Sequence, residues 1–151
     1  MGDEISRWDF SSEDYKEFKH RLRNESRILK GWFENNDFES TDGKCGFELE
    51  AWLMDKQYQP APVNEAFLEN LGDPLVVPEL SKFNFEINST PCSIEGNFLS
   101  HLESELSRCW ARCSAQAEKI NSNILAIGIL PTIQDNMLTL DHMSSLNRYL
   151  A

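Results

Sequence analysis

A chain of 151 residues with 40% hydrophobic side chains has the length of about one domain and enough apolar content to bury a core without disulfide or metal staples. Acidic residues outnumber basic ones 25 to 14, a formal charge of -11, which disfavours nucleic acid and anionic membrane surfaces as partners. No run approaches the roughly 18 apolar residues of a membrane span, and the start Met1-Gly2-Asp3-Glu4 lacks the basic and apolar segments of an export signal, so a cytoplasmic location is expected.

Ser11-Ser12-Glu13-Asp14 places capping hydroxyls before acids, and Tyr15, Phe18, Leu22, Leu29 and Phe33 then recur at helical spacing. The pattern predicts an amphipathic helix of about twenty residues, with Lys16, Lys19, Arg21, Arg23, Arg27 and Lys30 on its other face as a solvated charged surface. Asn35-Asn36-Asp37 and Ser40-Thr41-Asp42-Gly43 read as a polar linker, separating an N-terminal segment (1–44) from the remainder (45–151).

From Gly46 to Asp55 the chain alternates: Phe47, Leu49, Ala51 and Leu53 define one strand face, and Glu48, Glu50, Trp52 and Met54 the other. After a turn at Asp55 to Pro60, Val63 to Leu71 reads as a short helix and Leu75-Val76-Val77 as a brief strand ended by Pro78. The stretch Lys82 to Thr90 alternates again, with Phe83, Phe85 and Ile87 on one face and Asn84, Glu86 and Asn88 on the other.

If both strands share a sheet, Glu48, Glu50 and Glu86 converge on one surface. Carboxylates in such proximity repel, and a hard divalent cation such as Mg2+ or Mn2+ would supply the counter-charge. The alternative is an ordinary half-solvated sheet with Glu outside and Phe and Leu inside.

Thr90-Pro91-Cys92-Ser93 stops the second strand, and Leu99, Leu102, Leu106, Cys109, Trp110, Cys113, Ala117 and Ile120 hold helical spacing over six turns. Ile124 to Leu130 reads as a continuously apolar, buried strand broken by Pro131, and Gln134 to Ala151 as an apolar tail of ambiguous structure. The four cysteines, Cys45, Cys92, Cys109 and Cys113, have no Cys-x-x-Cys spacing and read as buried, reduced thiols. The expected class is α+β: a mainly antiparallel sheet with helices packed on one face and function on the other.

Phe47-Glu48-Leu49-Glu50-Ala51-Trp52-Leu53-Met54-Asp55, Pro78 to Pro91, Leu125 to Thr132, and Arg148-Tyr149 together resemble the carboxylate-amine ligases related to glutamate-cysteine ligase, in order and approximate spacing. The resemblance implies the first part of a glutamine synthetase-like catalytic domain, present here as a fragment incapable of turnover alone. Such enzymes join a glutamate-like acid to an amine acceptor through an acyl phosphate made from ATP. By that likeness Glu48, Glu50 and Glu86 would hold Mg2+ or Mn2+ on the ATP phosphates, Glu79, Asn88 and Thr90 would serve the substrate, and Arg148 would be a catalytic cation for a carboxylate or phosphate.

Ile129 departs from relatives that carry Thr-His in that region, leaving the substrate open. A non-catalytic α+β interaction module that associates, with a partner or as a homo-oligomer, through its sheet edge or apolar tail is the competing expectation.

Overall fold

The structure, a computed structural model, describes residues 3–38 and 43–151; Met1, Gly2, Glu39 and the linker positions Ser40, Thr41 and Asp42 lie outside the described residues. Helix α1 (Ser12–Asn35) is followed by β1 (Lys44–Cys45), β2 (Glu48–Met54), α2 (Asn64–Leu71) and β3 (Val76–Pro78). Then come β4 (Asn84–Asn88), β5 (Cys92–Ser93), α3 (Phe98–Lys119), β6 (Asn123–Leu125), two short 3-10 turns and α4 (Asn147–Leu150). The chain divides into two compact units, Met1–Gly43 with Leu146–Ala151, and Lys44–Ser145. Among the described residues no helix is long and apolar enough to cross a membrane.

The first unit begins with the cap predicted from sequence. Ser11 Oγ accepts from the Asp14 backbone N–H, and Asp14 Oδ2 accepts from the Ser11 N–H at 2.8 Å, a reciprocal capping box. Those Ser11 hydrogen bonds, with Arg7 adding to them, hold the Asp14 carboxyl below its ordinary range. The helix ends where Asn36 turns left-handed at φ 57°.

Three cations on the charged face pair with carboxylates one turn away: Lys16 with Glu13, Arg21 with Glu17 and Lys30 with Glu34. The apolar stripe is exposed, Tyr15 and Phe18 both at 63%. Within the same unit, α4 is tied to the chain start: Asn147 donates from its backbone N–H to Glu4 Oε1 and from Nδ2 to the Ile5 carbonyl.

The second unit is a four-stranded sheet in the order β3-β4-β2-β6, antiparallel at each pairing, with β1 and β5 as a separate antiparallel pair. Mixed helix and antiparallel sheet is the class expected from the sequence. Ala51, Leu53, Phe85, Ile87 and Val76 form one face of the sheet, where Phe67 of α2 and Cys113 and Ala117 of α3 cover them. The Phe67 and Phe85 rings meet at 4.8 Å, both fully buried.

The other face is divided. One half carries the glutamates; the other carries Trp52, Met54 and Phe83, covered by Leu130, Ile133 and Met137.

Phe83 was expected beside Phe85 and Ile87, but β4 begins only at Asn84; residues Ser81 to Phe83 form a turn closed by Asn84 N–H donating to the Ser81 carbonyl. The turn breaks the two-residue alternation, so Phe83 stacks on Trp52 on the opposite face, with ring centroids 5.8 Å apart.

The strand expected from Ile124 to Leu130 stops at Leu125, leaving Ile127 43% and Ile129 75% exposed. Since Trp52 pairs with Leu125, a longer β6 would place Ile127 opposite Glu50. The chain instead turns out of the sheet, and the Trp52 indole Nε1 donates to the Ile127 carbonyl at 2.8 Å.

A polar knot fixes the entry to β4. Asn64, 1% exposed, donates from Nδ2 to the Ser81 and Asn84 carbonyls and reaches Ser144 Oγ at 3.2 Å, while its backbone N–H binds the Lys82 carbonyl. Ser144 Oγ in turn donates to the Glu79 carbonyl. The start of α2 and the chain around Ser144 thereby hold residues 79–84, the segment that delivers Glu79 to the sheet face.

Candidate metal centre

The β2–β4 register places Glu50 directly opposite Glu86 and Glu48 opposite Asn88, so the alternation read from the two strands puts all three carboxylates on one face. Val77 of β3 lies opposite Glu86 on its other side, and Glu79 follows just after that strand. Carboxylate oxygens of Glu50, Glu79 and Glu86 lie within 4.8 Å of one another. Glu50 is exposed, Glu79 half-buried and Glu86 only 6% exposed.

Burial raises the pKa of the Glu86 carboxyl. Asn88 Nδ2, donating to Glu86 Oε1 at 2.9 Å, opposes that rise, and the charges of Glu48, Glu79 and Glu50 add to it. A carboxyl raised above its unfolded value binds more protons folded than unfolded, so stability falls as pH climbs from the ordinary carboxyl range through the raised pKa and is level above it. With EDTA present, a Glu86→Gln variant should lose this slope and melt higher than the native protein at neutral pH. A native melting temperature that rises across the same interval would contradict the assignment.

The structure places the other expected site residues differently. Glu79, expected to serve the substrate, stands in the three-oxygen cluster, whereas Glu48 acts on Glu86 through its charge from the neighbouring position. Asn88 is committed to the protein itself, bonding Glu86 and, at 3.4 Å, the Leu75 carbonyl. Thr90 is exposed, and its backbone N–H donates to the Glu105 carboxylate of α3 at 3.2 Å. Arg148 belongs to the other unit, where its Nη2 donates to Tyr149 Oη at 3.0 Å and its guanidinium lies 4.8 Å from the Tyr149 ring centre.

Three carboxylates suit a hard divalent cation. Two oxygens each about 2.1 Å from Mg2+ stand about 3.0 Å apart at adjacent octahedral positions and about 4.2 Å apart at opposite ones, so carboxylates within 4.8 Å of one another would draw together by about an ångström or more to share an ion. Exposed Glu50 has that freedom, and three protein ligands leave the remaining octahedral positions for water or phosphate.

Sequence alternation missed the neighbour of this cluster. A cavity of about 500 Å3, lined by Trp52, Leu80, Phe83, Asn84, Met137 and His142 among others, shares the sheet face. Trp52 and Asn84 stand one strand repeat, about 6.8 Å, from Glu50 and Glu86. An acidic centre thus adjoins a largely apolar hollow. Comparison with protein-family models, with curated proteins and with solved structures finds no match for this chain.

Proposed function

We propose that the Glu50, Glu79 and Glu86 face holds Mg2+ or Mn2+ and that the chain is part of an ATP-dependent carboxylate-amine ligase with a glutamine synthetase-like fold. The observation that carries this reading is the convergence of three carboxylates within 4.8 Å, one of them buried on a rigid strand. A divalent ion there would neutralise charge on ATP phosphates during phosphoryl transfer to a glutamate-like acid, ahead of attack by an amine acceptor. The chain's own part is positional: β2 and β4 fix Glu50 and Glu86 opposite each other, the Asn64 knot sets the segment bearing Glu79, and Asn88 orients the Glu86 carboxylate.

Binding of a non-hydrolysable ATP analogue tests the nucleotide half of the reading. It should require Mn2+ and weaken by about tenfold or more with Glu50→Gln. Equal binding in EDTA would sink it. The exposed stripe of Tyr15, Phe18, Leu22 and Phe33 on α1 favours a second reading, a module that associates through apolar surface; self-association with no response to Mn2+ would select it.

A further inference from the structure

We propose that Cys45 and Cys92 are a redox pair that closes to a reversible cross-strand disulfide. Their positions, 47 residues apart in sequence, are direct Cα partners in the antiparallel pairing of β1 with β5. Directly opposite residues in such a pair have Cα atoms about 4.5–5.5 Å apart, inside the range a disulfide spans. Both thiols are free and half-buried, within reach of a small oxidant.

The surroundings hold the two strands together at this point. Phe47 N–H donates to Ser89 Oγ at 2.7 Å and Ser89 N–H to the Phe47 carbonyl at 3.0 Å. A side chain at Gly46 would come within 3.1 Å of Ser89 Oγ, so glycine there permits the close approach. Three residue steps lead from Cys45 to Glu48 but four from Asn88 to Cys92, and Glu48 pairs with Asn88. One extra residue therefore lies between the two registers, and β1–β5 is a separate two-stranded ribbon just beyond the β2–β4 pairing that carries the glutamates. A bond between Cys45 and Cys92 would staple the end of that ribbon.

Cys109 and Cys113 provide the contrast. Cys113 is fully buried, and burial, with Cys109 beside it, pushes its thiol up to about 12, which removes the thiolate needed for attack.

With hydrogen peroxide as oxidant, one thiolate attacks a peroxide oxygen, the O–O bond breaks and hydroxide leaves, giving a sulfenic acid. The second sulfur attacks the first and displaces water, forming the S–S bond. Two electrons pass from the sulfurs to peroxide, which takes up the thiol protons and ends as two waters.

The test is mass mapping of the whole chain after mild peroxide, with alkylation under denaturing conditions and no reductant. The expected product is a monomer lighter by two hydrogens before alkylation, with the Cys45 and Cys92 peptides joined, Cys109 and Cys113 alkylated, and the link reversed by dithiothreitol. Cys45→Ser and, separately, Cys92→Ser should each abolish the link. The proposal fails if both thiols alkylate after peroxide, if either overoxidises without linking, or if the bond forms between chains or to Cys109 or Cys113.

Discussion

Substituting Phe85→Ala destabilises the Lys44–Ser145 unit by about 3–5 kcal/mol, as expected for deleting a fully buried aromatic ring from a core that cannot collapse around the space. Phe85 is 0% exposed, lies in the central strand β4 and meets Phe67 of α2 at 4.8 Å, so one truncation removes contacts from both layers. Chemical denaturation monitored by circular dichroism measures the loss directly. Against a typical total stability of 5–15 kcal/mol, the variant should be largely unfolded well before the native protein in denaturant. A change below about 1 kcal/mol would mean that Phe85 is not packed as described.

Trp52→Ala has a comparable expected cost, about 3–5 kcal/mol, but a different footprint. The indole stacks on Phe83, supports Met54 and Leu130, and is the hydrogen-bond donor that holds the Ile127 carbonyl. Its removal therefore frees the chain beyond Leu125 while the α2 and α3 face stays packed. Amide exchange should quicken most across 126–143, where opening becomes local, and in α3 by no more than the loss of overall stability. Trp52→Phe separates the two contributions: it keeps most of the stacking and loses only the hydrogen bond, for about 1 kcal/mol. Uniform acceleration of exchange across both faces would contradict this division of the sheet.

How far these features were legible in the sequence depends on the range of the interactions that decide them. The Ser11–Asp14 cap and the α3 stripe from Leu102 to Ile120 are local, and spacing alone placed them, whereas Leu99, expected in the same stripe, stands 67% exposed at the start of the helix. Glu48, Glu50 and Glu86 shared a face because alternation within each strand survived pairing.

Phe83 did not follow, because a turn set by the Ser81 and Asn84 contact interrupts the alternation one residue before the strand starts. Ile127 and Ile129 look like buried strand by composition, yet the sheet position next in register faces Glu50, and the Trp52 indole captures the backbone instead. Glu79 lies just beyond a proline outside any alternating run, so only the β3–β4 pairing shows it reaching the other glutamates. The opposition of Cys45 and Cys92 likewise depends on a long-range register that spacing does not encode.

Calorimetric titration of Mn2+ into the native protein tests the proposed metal centre most directly, beside Glu48→Gln and a triple variant carrying Glu50→Gln, Glu79→Gln and Glu86→Gln. Partners one shell removed from a metal typically cost 10–100-fold in affinity, so loss of all three ligands should weaken binding beyond about a hundredfold, while Glu48→Gln should cost no more than about tenfold. The account predicts a saturable isotherm for the native protein and Glu48→Gln and none for the triple variant. Indistinguishable isotherms for the native protein and the triple variant would contradict it.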